Sequence, residues 1–157
     1  MLLKLLLVML IAMFPLVELR GAIPIAASMN LPVAPSLIAA MIGNIIPMPL
    51  IFLFGRSLLD KGSKTKSKIV RDYCKWCIEK GNKASEKLQT KTNDNIYIAL
   101  IMFVGIPLPG TGAWTGMLAA TFLNLDYKKS LVAICGGTFL AGVIMMAISF
   151  GLFDLIS

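Results

Sequence analysis

The stretch from Pro15 to Pro24 constrains everything around it. Glu18, Arg20 and Gly21 stand there between two prolines, inside a run that is otherwise apolar. A charged side chain at membrane depth costs roughly 2.5–3.5 kcal/mol on insertion scales, so such residues face a protein interior or a wet cavity and mark pathways. Each proline lacks an N–H and clashes with the preceding turn, so one straight helix cannot run through both. A second interruption runs from Gly105 to Gly112 as Gly-Ile-Pro-Leu-Pro-Gly-Thr-Gly. The chain reads as two broken hairpins facing each other.

Composition says what surrounds those breaks. At 57% hydrophobic residues and a mean hydropathy of +0.82, the chain is too apolar for a water-soluble globule and reads as an integral membrane protein. Its 157 residues suffice for one domain built from two halves. The net charge of +7 is unevenly placed: ten of the fifteen basic residues lie between Lys61 and Lys91. That clustering fits a cytoplasmic loop under the positive-inside rule. It also suits anionic lipid headgroups, which attract each nearby basic residue by about 1 kcal/mol. Nucleic acid is not an expected partner, because no stacking platform or recognition motif accompanies the charge.

Segment lengths decide the topology. Met1 to Phe14 has the look of a signal peptide, but Pro15 and the charged pair follow at once and no small-residue cleavage site appears. Leu2 to Val17 makes about 24 Å of helix at 1.5 Å per residue, short of the roughly 30 Å hydrocarbon core. The return arm, Ile23 to Asn30, is shorter still. Together they predict a re-entrant hairpin, whose non-helical tip must be covered by protein or line a cavity. Pro35 to Leu59 is long enough to cross, with a bend at Pro47 and Pro49, a small-residue face at Ala39 and Gly43, and Asn44 polar at depth. Arg56 and Lys61 put its end on the cytoplasmic side.

Residues 60–95 are the hydrophilic segment. Ile69, Val70, Tyr73, Cys74, Cys77 and Ile78, with Trp76 at their edge, recur at helical spacing opposite a Lys-rich face, which predicts a basic amphipathic helix on the inner leaflet. Lys64, Lys66, Lys68, Arg71 and Lys75 are its expected membrane-surface residues. Ile96 to Ile106 and Ala113 to Leu125 predict a second re-entrant hairpin around Pro107, Pro109, Gly110, Thr111 and Gly112, and Ser130 to Phe153 a second full crossing.

The halves are alike. Met29–Gly43 and Leu123–Gly137 align without a gap, and Asn, Leu, Ser, Leu, Ala and Gly coincide at six positions. Each half makes an odd number of passages, so joining them by one loop turns them into opposite orientations, as in many secondary transporters. The expected fold class is therefore an all-α integral membrane protein. It has two inverted repeats (1–59 and 96–157) of a re-entrant hairpin plus one transmembrane helix, joined by the linker 60–95 into one membrane domain.

Pro15, Glu18-Leu19-Arg20-Gly21-Ala22-Ile23-Pro24 and Pro107-Leu108-Pro109-Gly110-Thr111-Gly112-Ala113-Trp114-Thr115-Gly116 together resemble the family called putative small multi-drug export proteins, over nearly the whole chain. That family is similar, more remotely, to the DedA/VTT membrane proteins with their paired re-entrant loops. The resemblance implies a multi-pass protein of the bacterial or archaeal cytoplasmic membrane and a transporter. The DedA relatives are associated with moving lipids, including polyprenyl phosphate carriers.

In this setting Arg20 is expected to grip an anionic headgroup while Glu18 carries a proton. The structural alternatives are an ion pair between them, or each residue bonding the free backbone of the opposite hairpin. Half-helices starting near Ile23 and Thr111 would aim N-terminal dipoles at an anion at the midplane. The expected substrate or transport residues are thus Glu18, Arg20, Gly21, Pro24, Asn44, Pro107, Pro109, Gly110, Thr111, Gly112 and Trp114. Thr111 and Thr115 could instead satisfy freed carbonyls, and Trp114 could line the cavity or pack.

Cys74-Lys75-Trp76-Cys77 lacks the further ligands of a zinc site, and the chain contains no histidine, so neither metal nor cofactor is expected. With no paired carboxylates and no nucleophile–base arrangement, an enzyme is not expected either. The functional expectation is a small, proton-coupled transporter or lipid-headgroup translocase, as a monomer or homo-oligomer, with anionic membrane lipids as partners. The alternatives are a non-transporting scaffold, an oligomeric channel subunit, or an exporter of cationic small molecules.

Overall fold

The computed structural model describes residues 1–15, 17–89, 96–108 and 111–156, and among these every regular element is a helix. In chain order they are α1 (Leu2–Ala12), α2 (Glu18–Ser28), α3 (Val33–Ile45), α4 (Met48–Gly62), α5 (Lys68–Gln89), α6 (Ile96–Gly105), α7 (Ala113–Phe122) and α8 (Tyr127–Ile156). Two stretches are long and apolar enough to cross a membrane, Val33–Gly55 and Tyr127–Gly151. The helices α1, α2, α6 and α7 have 10 or 11 residues each. At 1.5 Å per residue none reaches across alone.

Local chemistry sets the breaks. Ile46 and Pro47 separate α3 from α4, where two prolines remove the amide donors that would continue the ladder. The C-termini of α2 and α7 share one closure. Asn30 and Asn124 take left-handed φ values of 53° and 52°. Leu31 N then donates to Ala26 O at 3.1 Å and Leu125 N to Ala120 O at 3.0 Å. Asparagine tolerates this conformation, and the bonds satisfy carbonyls that the helix ends leave free. Asp126 next opens α8, its Oδ1 accepting the Lys129 N–H at 2.9 Å as a side-chain cap.

The halves keep one register. Leu2 and Ile96 open α1 and α6, Val33 and Tyr127 open α3 and α8, and Gly62 and Ile156 close α4 and α8; every pair is 94 residues apart. The same spacing separates Asn30 from Asn124 and the fully buried Ser36 from Ser130.

Packing exchanges elements between the halves. One core cluster joins Val8, Leu19, Ile23 and Ala40 to Met146 of α8; the other joins Leu100, Val104, Met117 and Ile134 to Met48 of α4. Close approach depends on two glycines 94 residues apart. A Cβ on Gly43 would collide with the Met9 carbonyl oxygen, and one on Gly137 would lie 2.7 Å from Ile101 O. Small residues of this kind let helices pack where lipid removes the hydrophobic drive. The small-residue face expected at Ala39 and Gly43 is therefore occupied within this chain at Gly43, whereas Gly136 has open space beside it.

Two expectations need correction. The half-helix predicted from Ile23 begins five residues earlier, at Glu18, so Pro24 lies inside α2 rather than at its border. The α5 face predicted to rest on lipid is divided. Cys74, Cys77, Gly81, Ala84 and Leu88 are buried, a three-four alternation that makes a flat seam against α4 and α7. Ile69, Val70 and Trp76 remain exposed, at 83%, 46% and 38%. The larger side chains drew the prediction, but the small ones allow the close approach. Lys64, Lys66, Lys68 and Lys75 are exposed, while Arg71 is half-buried beside Asp72 at 3.8 Å.

Candidate functional site

The two breaks meet. Glu18, 7% exposed, stands at the start of α2 with φ 52°. This is an uncommon conformation for a residue with a side chain, of a kind that clusters at functional sites. Its Oε1 accepts the backbone N–H of Trp114 at 3.0 Å, with the Ala113 N–H also facing it. The carboxylate thus closes the first turn of α7, where free amides and the positive end of the helix dipole favour an anion.

Arg20 serves the other side of the second break. Its Nη1 donates to Leu108 O, and its Nη2 to Val104 O at 3.0 Å and Ile106 O at 3.2 Å. Thr111 Oγ1 adds bonds to Ile106 O at 3.0 Å and Leu108 O at 2.9 Å. The carbonyls that α6 leaves free at its C-terminus are therefore held by a guanidinium and a hydroxyl. Of the structural alternatives raised by the sequence, this is the one in which each charge bonds the opposite hairpin; no ion pair joins Glu18 to Arg20 among the described residues.

Gly112 completes the junction and is the counterpart of Glu18, 94 residues on. Its φ is 155°, and an added Cβ would overlap the Glu18 carboxylate. Only glycine leaves room there.

Behind the junction lies a cavity lined by Glu18, Arg20, Gly112, Asn44 and Thr138. It offers about 10 Å³ to the centre of a water molecule, room for one. Asn44 and Thr138 are each 2% exposed, and Asn44 Oδ1 and Thr138 Oγ1 have no hydrogen-bond partner.

The structure brings together Glu18, Arg20, Asn44, Thr111 and Gly112 of the predicted set. Pro107 is half-buried in the tip itself, and Gly21 packs on Val17, away from the cavity. Pro24 lies two turns along α2 and does not line it. Pro109 and Gly110 fall outside the described residues. Trp114 gives the junction its backbone, while its indole lines a separate apolar pocket of about 250 Å³ with Tyr73, Cys74 and Cys77. Thr138 was missed. Extending the ungapped alignment one residue, past Gly43 and Gly137, would have paired it with Asn44.

A helical bundle with two apolar spans, and a buried carboxylate beside a half-buried guanidinium where two chain breaks meet, defines the class: a helical membrane protein with an internal polar junction. The family model described as "Putative small multi-drug export protein" matches residues 18–144, and the chain belongs to that family. The matched stretch opens at Glu18 and takes in Arg20, Asn44, Gly112 and Thr138. That description is of a transporter rather than an enzyme. No curated protein and no solved structure matches the chain.

Proposed function

We propose that the chain is a proton-coupled transporter of anionic groups, lipid headgroups included, whose gate is the junction of the two breaks. The observation that carries this reading is the Glu18 carboxylate bound at the N-terminus of α7 beside the Arg20 guanidinium. A phosphate or carboxylate suits that same position, because the helix terminus and the guanidinium both favour negative charge. Glu18 then acts as a resident stand-in for the substrate. Protonating it removes the charge from its bond to Trp114, frees the α7 amides and lets a substrate anion take its place while Arg20 turns to pair with it.

In this proposal the halves are inverted repeats, and α1–α2 and α6–α7 enter and leave the membrane as re-entrant hairpins, consistent with helices of 10 or 11 residues and the shared 94-residue register. Residues 60–95 face the cytoplasm, and exposed Ile69, Val70 and Trp76 rest on an anionic leaflet beside Lys64, Lys66, Lys68 and Lys75. If copies associate, the open side of Gly136 on α8 is one face left free for it. A lipid substrate is the case that the DedA/VTT likeness implies. A second reading, export of organic cations, follows from the family description and from Glu18 as the acidic group at the junction.

Proteoliposomes test these readings directly. Wild-type protein should move a fluorescent phosphatidylglycerol or a small organic phosphate down a proton gradient, faster than a phosphatidylcholine analogue or ethidium. Glu18→Gln and Arg20→Ala should abolish that movement. Unchanged flux in both variants would contradict the site assignment, and ethidium flux alone would favour the cation reading.

A further inference from the structure

Two pairs of positions, each 94 residues apart, converge on the small cavity: Glu18 with Gly112, and Asn44 with Thr138. The second pair puts two polar atoms there, Asn44 Oδ1 and Thr138 Oγ1, both buried and both without a partner. Leaving one such atom unsatisfied costs about 1–3 kcal/mol. The remaining lining includes Leu19, Val104 and Ala141, which satisfy neither. Buried waters form about three hydrogen bonds to groups of this kind, and the cavity has room for one water.

We infer that Asn44 and Thr138 hold a single ordered water against Glu18, and that this water is the relay through which the carboxyl exchanges its proton. It donates to Asn44 Oδ1 and accepts from the Thr138 hydroxyl; toward Glu18 it accepts the O–H of the protonated carboxyl and donates to the carboxylate once the proton has left. Deprotonation passes one proton from the carboxyl oxygen to this water and, as the junction opens, from it to bulk water; a carboxylate and a neutral water remain. A sodium ion is disfavoured. With Glu18 Oε1 taken by the Trp114 N–H, the three side-chain oxygens that remain are too few for it, and Arg20, the other charged side chain lining the cavity, already supplies a positive charge. The cap bonds at the junction come from Glu18 and Arg20 and include neither Asn44 nor Thr138, so the role belongs to the relay and not to the gate. The inference rests on Glu18 as the proton carrier, but the water site itself does not.

Infrared difference spectra of the reconstituted full chain, taken between two pH values in H2(16)O and H2(18)O, separate the two. Glu18→Gln identifies the Glu18 carboxyl band by its loss. The expected result is an O–H stretch that moves in H2(18)O and disappears in the Asn44→Leu/Thr138→Val double variant, together with an upward shift of the carboxyl band. Thr138→Ser, which keeps the hydroxyl, should retain both signals and shows that the fold tolerates change there. An unchanged carboxyl band in the double variant, or no isotope-sensitive stretch in the wild type, overturns the inference. If Glu18→Gln removes no band but the isotope-sensitive stretch persists, Glu18 is not the proton carrier, and the relay role falls with that reading.

Discussion

The Glu18 carboxylate accepts the backbone N–H of Trp114, at 3.0 Å and across 96 residues of chain. A cap normally comes from the residue next to its helix. Here the cap for α7 comes from the start of α2, so the two breaks cannot separate without uncapping a helix. Arg20 repeats the arrangement with opposite charge at the end of α6.

Gly112→Ala should destabilise the chain by about 1–3 kcal/mol or more, because a Cβ there overlaps the Glu18 carboxylate at a φ that side chains avoid. Combining it with Glu18→Ala should cost less than the sum of the two, a coupling of about 0.5–3 kcal/mol. Thermal unfolding of the four proteins in detergent measures both quantities; strict additivity would mean that the two residues do not share space.

Arg20→Lys keeps the charge but loses the fork that reaches Val104, Ile106 and Leu108. A hydrogen bond to a charged group contributes about 1.5–3 kcal/mol. The lysine variant should therefore lose at least one such increment in chemical denaturation, against a wild type measured alongside. Equal stability would show that charge alone suffices at the α6 terminus.

Neighbouring glycines on α8 should behave oppositely. Gly137→Val drives a side chain into Ile101 O, which cannot move without breaking α6, so the loss should exceed the roughly 1–3 kcal/mol typical of overpacking. Gly136 meets nothing within 4 Å, and Gly136→Ala should stay within about 0.5 kcal/mol of wild type. Paired melting curves decide it.

Cys77 should resist alkylation. Its thiol is buried in the α5 seam, and that burial pushes its pKa up, so less thiolate exists at any given pH. Iodoacetamide labelling at neutral pH, read by mass spectrometry, should be slow in native protein and complete after denaturation, and should rise with pH beyond the usual thiol range. Rapid native labelling would contradict the packing of α5 on α4 and α7.

Much of this was legible in the chain because the signals were local. Prolines and segment lengths place the breaks, and the Asn-Leu pairs at 30–31 and 124–125 belong to the six matches that relate the halves. Glu18 and Arg20 stood out because charge in an apolar run is costly. Their partners were not legible, since a backbone N–H or carbonyl carries no residue-type signature and every residue offers one. The start of α2 was misplaced for a related reason. Pro24 has the signature of a border, yet it is tolerated inside a helix whose neighbours pack closely around it. Thr138 escaped because threonine is ordinary in a membrane helix, and only its pairing with Asn44 across the repeat gives it meaning. The α5 seam escaped because small residues weigh little in a hydrophobic pattern.

Hydrogen exchange at the Trp114 amide tests most directly whether Glu18 holds the junction shut. Losing a helix cap costs about 0.5–2 kcal/mol, which is about 2- to 30-fold in an opening equilibrium. In Glu18→Ala the Trp114 amide should exchange faster by that factor, while the Leu118 and Ile134 amides keep their wild-type rates. An unchanged rate at Trp114, or an equal acceleration at all three positions, would contradict a local gate closed by this carboxylate.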